Sequence, residues 1–332
     1  MGLVPVIDLA PAGDAAGRRT VARTIAQACQ RVGFFAIVGH GVSVPTIDAA
    51  WGSARRFFEL PDAIKRGAIM PRPGYPYGWS PVAGESLAYS TGEHRPPDLK
   101  ETFSIGPADL TPAPAGNRDA IEFAWAPNIW PIQPPGFREA LLAYYGAVSG
   151  LADRLMDLFA LGLDLPEDFF APTIDQAISA LRVLNYPNQP VAPLEGQLRA
   201  GAHTDYGSLT ILLQEQAPGG LEVQGLDGTW HPVPATPGAF VVNLGDLMAR
   251  WTNDRWRSTM HRVVNPPRDA RGSTRRQSIA FFHQPNWDAE IVCLPTCLAA
   301  GERAKYPPVR SGPHLASKFR STVTLGEAER LA

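Results

Sequence analysis

Between residues 136 and 166 the chain reads GFREALLAYYGAVSGLADRLMDLFALGLDLP, and Phe137, Leu141, Tyr144, Val148, Leu151, Leu155 and Phe159 recur at steps of three and four. That period puts them on one face and predicts a long amphipathic helix able to back a sheet. A second helix is predicted over 20–33, where Val21, Ile25, Ala28 and Val32 share a face and Gly33 supplies the stop. PVIDLA (5–10) and FFAIVGHG (34–41) read as short strands beside it. Residues 67–134, with MPRPGYPYGWSP and APNIWPIQPP, are rich in Pro, Gly and aromatics. A long irregular stretch of that kind in a compact domain predicts a functional lid.

The second half changes texture. SALRVLNYP, SLTILLQ, GLEVQ, TWHPVP, AFVVNLG, STMHRVVNP, RQSIAFFHQP and AEIVCLP are short β-like runs separated by Gly, Pro, Asp and Asn. Their regular spacing predicts a sandwich or jelly roll. No Pro/Gly linker divides the halves, so the expectation is one catalytic domain, mainly β with flanking helices. Its parts would be a largely helical buttress and lid (1–170), a jelly-roll core (171–300) and a C-terminal extension (301–332).

Composition narrows the function classes. The 332 residues are 45% hydrophobic, ample for a core, and the formal net charge is only −2 without long basic runs. Neither nucleic acid nor an anionic membrane is indicated as a partner, which leaves a small-molecule site as the better expectation; oligomeric state stays open. Cys29, Cys293 and Cys297 fit neither a disulfide framework nor a paired metal spacing, as expected of reduced thiols in a cytoplasmic protein. No run reaches the ~20 apolar residues of a membrane span.

The chemistry starts at RAGAHTDYGSLTILLQ (199–214). On a strand, His203 and Asp205 would project to one face, so both could reach one ion between two sheets. The pair alone is weak. His261, in a separate strand candidate between Met260 and Arg262, adds a second imidazole. Two imidazoles and a carboxylate on one face of an octahedral ion leave three positions open, the arrangement of non-haem Fe(II) oxygenases. A structural zinc site would close with four ligands. Downstream, Arg276 and Ser278 share a strand face and suit a carboxylate, and a bound anion would meet the charge of an arginine inside a β core.

The ordered motifs VPVIDLA, GFFAIVGHGV, RFFELPDAIK, DLKETFSIG, NIWP, LRVLNYP, GAHTDYGSLTILLQ, GGLEVQ, VVNLGDLMARWTND, STMHRVVNPP and RQSIAFFHQPN cover nearly the whole chain. Through them it resembles the isopenicillin N synthase-like family of Fe(II)- and 2-oxoglutarate-dependent dioxygenases. The resemblance implies a double-stranded β-helix, with His203, Asp205 and His261 holding Fe(II). It further implies that Arg276, Ser278 and Tyr186 bind the distal carboxylate of 2-oxoglutarate. The implied reaction uses O2 to oxidise, most commonly to hydroxylate, a small organic molecule with release of succinate and CO2. Two alternatives stay open: an Fe(II) oxidase or cyclase of the same family that does without 2-oxoglutarate, and a silent jelly-roll binding protein.

For the substrate, the same resemblance points to Arg182, Tyr206 and Phe282, with Tyr77 and Trp79 covering the mouth of the pocket. Arg182 suits a polar or anionic group. His40, His231 and His283 have no carboxylate at matching spacing and stay outside the metal set. Asn243 and Asp246 are expected to make turn hydrogen bonds, and Trp251, Asn253 and Asp254 to serve the fold.

Overall fold

The computed structural model describes residues 2–108, 117–320 and 322; the rest of the C-terminal extension, 323–332, lies outside the described residues. Twelve strands build two sheets: β1 Val6–Asp8, β2 Phe34–Val38, β3 Gly78–Ser80, β4 Glu101–Ile105, β5 Ala180–Tyr186, β6 Ala200–His203, β7 Leu209–Gln214, β8 Gly220–Gln224, β9 Trp230–Pro232, β10 Phe240–Leu244, β11 His261–Val264 and β12 Arg276–His283. The major sheet has the order β1-β2-β10-β7-β12-β5-β4-β3, and the minor sheet β6-β11-β8-β9.

The predicted long helix runs from Phe137 to Gly162, and the seven residues of its apolar face are all buried. They meet the core-facing positions of the major sheet, among them Phe35, Ile211, Phe240, Ile279 and Phe281. The helix Ala15–Arg31 packs on the same side. Asp14 caps it by accepting from the backbone N–H of Ala16 and Gly17. The chain then turns at Gly33, whose φ is +65° and where a Cβ would lie 2.1 Å from the Arg257 carbonyl oxygen, so glycine is required twice over.

The period-two alternation of the sheet divides its side chains. On β12, Ile279 and Phe281 join the core while Arg276, Ser278, Ala280 and Phe282 line the cavity between the sheets. On β5, Leu181 and Val183 go to the core and Arg182, Leu184 and Tyr186 to the cavity.

Two expectations need correction. The first half is not a separate helical buttress: the expected strands β1 and β2 form, β2 pairs with β10 and the unanticipated β4 with β5, so strands from both halves share one sheet. Within 67–134, β3 and β4 extend that sheet, and β4 is buried throughout. In its sequence, ETFSI, Phe103 and Ile105 go to the core while Ser104 faces the cavity, so both faces are covered although the residues alternate. Asp205 also departs from expectation. It lies beyond the end of β6, so shared strand facing does not bring it to His203.

Candidate active site

His203 and His261 are direct cross-strand partners in the β6–β11 ladder, with ring centroids 4.3 Å apart. His203 Nδ1 lies 2.8 Å from the Gly201 carbonyl and His261 Nδ1 3.0 Å from the Thr259 carbonyl. A carbonyl only accepts, so each Nδ1 carries a proton, and Nε2 is the nitrogen left to face the cluster. Both Nε2 atoms turn toward Asp205 Oδ1, at 3.8 Å and 3.7 Å.

Asp205 is positioned by backbone and side chain together. Its carbonyl accepts from the Asp246 N–H at 2.8 Å, which ties the connection after β6 to the start of the helix Asp246–Trp251. Gly245 and Gly207 allow that approach, since a Cβ at Gly245 would lie 2.3 Å from the Gly207 carbonyl oxygen. Oδ2 accepts from the Thr210 hydroxyl at 2.5 Å and the Asn243 amide at 2.7 Å, leaving Oδ1 to face the imidazoles. Burial opposes the charge, but His261, His203 and these two hydrogen bonds outweigh it and hold the carboxyl below its usual range. Burial and the neighbouring His261 push His203 down to about 3, which keeps its imidazole neutral. One ligand atom from each of the three residues falls within 4.8 Å of the others.

Further along the cavity, Arg276 is buried with its guanidinium over the Tyr186 ring, 5.1 Å from the centroid. Nη2 donates to the Gln214 side-chain oxygen at 2.6 Å, whereas Nη1 is buried without a partner. Among the described residues no carboxylate forms an ion pair with Arg276. Ser278 opens onto the same cavity. A buried cation with an orphaned N–H beside a hydroxyl is a fitting seat for a carboxylate. Arg199 also approaches Tyr186, with its guanidinium 5.9 Å from the ring centroid; its Nη1 and Nη2 donate to backbone carbonyls of Pro187, Pro218 and Thr274, while its Nε is buried without a partner.

This arrangement has counterparts. Residues 4–133 match the family described as non-haem dioxygenase in morphine synthesis N-terminal, and residues 178–285 match the 2OG-Fe(II) oxygenase superfamily. The chain belongs to the 2OG-Fe(II) oxygenase superfamily. The 2-oxoglutarate-Fe(II) type oxidoreductase hxnY of Emericella nidulans is 34% identical to it, over 98% of this chain and 91% of the relative. Validamycin A dioxygenase of Streptomyces hygroscopicus subsp. limoneus is 34% identical over 96% of this chain and 86% of its own. Among solved structures, a full-length Neurospora crassa protein in complex with alpha-KG superposes with a TM-score of 0.82 at 31% identity, covering 95% of each chain. The protein is an Fe(II)- and 2-oxoglutarate-dependent dioxygenase with a double-stranded β-helix fold, and O2 is its cosubstrate.

The oxygenase cavity, about 160 Å³, also takes in Arg182, Tyr206, Phe282 and Tyr77. Trp79 is elsewhere. It pairs with Phe103 on β4, sits in the core and donates its indole N–H to Glu101 at 2.8 Å, because alternation along β3 turns it away from the cavity. Arg182 is not an unpaired cation: its Nη1 donates to both Glu85 oxygens at 3.1 Å. Glu85 and Lys100 line the cavity and were missed by sequence reasoning, although Lys100 sits inside the quoted DLKETFSIG.

Asn243 is a further correction. It lies within β10 and holds the Asp205 carboxylate, rather than closing a turn. His40, His231 and His283 stay apart from the cluster. His40 bridges the Val42 N–H and the Gly238 carbonyl, His231 meets Thr229, and His283 meets Ser208.

Proposed function

We propose that His203, Asp205 and His261 hold the Fe(II) of this oxygenase, that Arg276, Ser278 and Tyr186 hold the far carboxylate of 2-oxoglutarate, and that the reaction hydroxylates a small organic molecule. The observation that carries the reading is the convergence of two imidazole Nε2 atoms and one free carboxylate oxygen within 4.8 Å. With three protein ligands, an octahedral ion keeps three positions for cosubstrate and O2. With Fe(II) and 2-oxoglutarate bound, O2 would be the oxidant: 2-oxoglutarate would give up two electrons and leave as succinate and CO2, and the substrate would give up the other two as it is hydroxylated.

The protein's own part is position and exclusion of water. Gly201 and Thr259 fix the imidazoles, Thr210 and Asn243 fix the carboxylate, and Arg276 sets how far along the cavity the cosubstrate lies. Tyr206, Phe282 and Tyr77 wall the space left for substrate. Proline hydroxylase buaE of Petromyces alliaceus, 37% identical over 84% of this chain, supports hydroxylation as the outcome.

The three free cysteines support a cytoplasmic setting, and the sheet shared by strands of both halves supports a single catalytic domain. Among the described residues, no helix is long and apolar enough to cross a membrane.

The test is anaerobic addition of Fe(II) and 2-oxoglutarate, with a weak visible charge-transfer band expected, followed by succinate formation in air with a substrate from a diverse panel. A protein that gives neither band nor succinate would overturn the assignment of His203, Asp205, His261 and Arg276.

A further inference from the structure

Antiparallel pairing of β5 and β12 lays out the cavity wall in matched steps: Tyr186 with Arg276, Leu184 with Ser278, Arg182 with Ala280, Ala180 with Phe282. Arg182 is four residues from Tyr186, about 13 Å on an extended strand, so it belongs to the opposite end of the cavity from Arg276. That end holds a closed set of charges. Arg182 Nη1 donates to both oxygens of Glu85 at 3.1 Å, and its Nε donates to the Ser104 hydroxyl at 3.0 Å. Lys100 Nζ lies 3.0 Å from Glu85 Oε1 and also donates to Asp98. Asp98 in turn accepts from the N–H groups of Gly201 and Leu87, at 2.9 Å and 3.2 Å.

Two cations therefore face two carboxylates, all of them nearly or fully withdrawn from water. Burial works against the charge of Glu85, but Arg182 and Lys100 together hold it at about 2. Burial also lifts Asp98 above its ordinary value, against the pull of Lys100. Arg182 Nη2 has no hydrogen-bond partner among the described residues, and Arg182 lines the cavity.

We propose that Glu85 is a specificity-determining residue: by neutralising Arg182 it makes this end of the cavity select an uncharged polar group, an amide or lactam carbonyl, over a carboxylate. The proposal rests on the reading of the cavity given above. A substrate carboxylate on Nη2 would bring a third anion to a buried group whose two cations are already matched by Glu85 and Asp98. A substrate ammonium would face Arg182 and Lys100. A neutral carbonyl accepts from Nη2 without disturbing either pair, and the flat walls of Tyr206 and Phe282 suit the apolar body beside it.

The wild-type protein loaded anaerobically with Fe(II) and 2-oxoglutarate tests this. The charge-transfer band is recorded first, and its absence counts against the metal and cosubstrate assignment alone. Dissociation constants are then measured by calorimetry for benzamide against benzoate and for cyclohexanecarboxamide against cyclohexanecarboxylate. Each amide is expected to bind about ten-fold or more tighter than its acid. Glu85→Gln should move the preference toward the acid by about ten-fold, and Glu85→Asp, which keeps the charge, should preserve it. An acid that binds wild type as tightly as its amide, the failure of every amide to bind, or an unchanged preference in a folded Glu85→Gln variant overturns the proposal. The wild-type comparison stands even where a variant does not fold.

Discussion

The side-chain amide of Asn243, near the end of β10, donates to Asp205 Oδ2 at 2.7 Å, on the same oxygen that takes the Thr210 hydroxyl. The two donors sit on paired strands, Asn243 opposite Thr210, so the β10–β7 register itself orients the carboxylate. Asn243→Ala should weaken Mn(II) or Fe(II) binding by about 10–100-fold while the circular dichroism spectrum stays unchanged, as outer partners of metal ligands commonly do. A Mn(II) titration followed by electron paramagnetic resonance reads this directly. Wild-type affinity in Asn243→Ala would mean that Thr210 alone suffices.

Asp205→Ala removes the only carboxylate of the three-residue cluster. Both Fe(II) retention after gel filtration and succinate formation should be lost. A variant that still retained one equivalent of iron would place the metal on other ligands.

Arg276→Ala leaves iron binding in place and removes the buried cation at the far end of the cavity. The expected loss in 2-oxoglutarate affinity is ~2–5 kcal/mol, the range seen when one member of a buried charged pair is removed. A dissociation constant for 2-oxoglutarate equal to that of wild type would remove Arg276 from the cosubstrate site.

His283 is fully buried, and burial alone pushes it from 6.5 down to about 4 in the folded protein. Between those values the unfolded chain binds a proton that the folded chain refuses, so stability falls as pH drops from 6.5 toward 4. His283 can contribute at most about 1.4 kcal/mol per pH unit to that slope. Urea denaturation at intervals across this window should show a shallower pH dependence in His283→Gln than in wild type, whatever the variant's absolute stability. Equal slopes would mean that His283 is protonated in the fold.

Much of this site is legible before folding, but unevenly. His203, His261, Arg276 and Ser278 could be picked out because each falls in a strand-like stretch and the order His-x-Asp, His, Arg-x-Ser carries the family resemblance. Asp205 was found for a reason that does not hold, since it lies past the strand end and is brought in by a backbone hydrogen bond from Asp246. Trp79 misled because an aromatic in a Pro/Gly-rich stretch reads as a lid, whereas pairing with β4 turns it into the core. Arg182 reads as a free cation because its partner Glu85 is 97 residues away and in no strand.

Periodicity is a local property, so the chain by itself determined the long helix, the strands of the second half, the inward face of each and the types of ligand they carry. Its ordered motifs determined the family. Which inward faces meet is a matter of register and connection. Only the tertiary structure set His203 opposite His261, laid Asn243 and Thr210 on one carboxylate oxygen, and closed Arg182, Glu85, Lys100 and Asp98 into a neutral group. Those relationships join residues far apart in the chain, and charge and hydrogen bonding act through the short distances that folding creates.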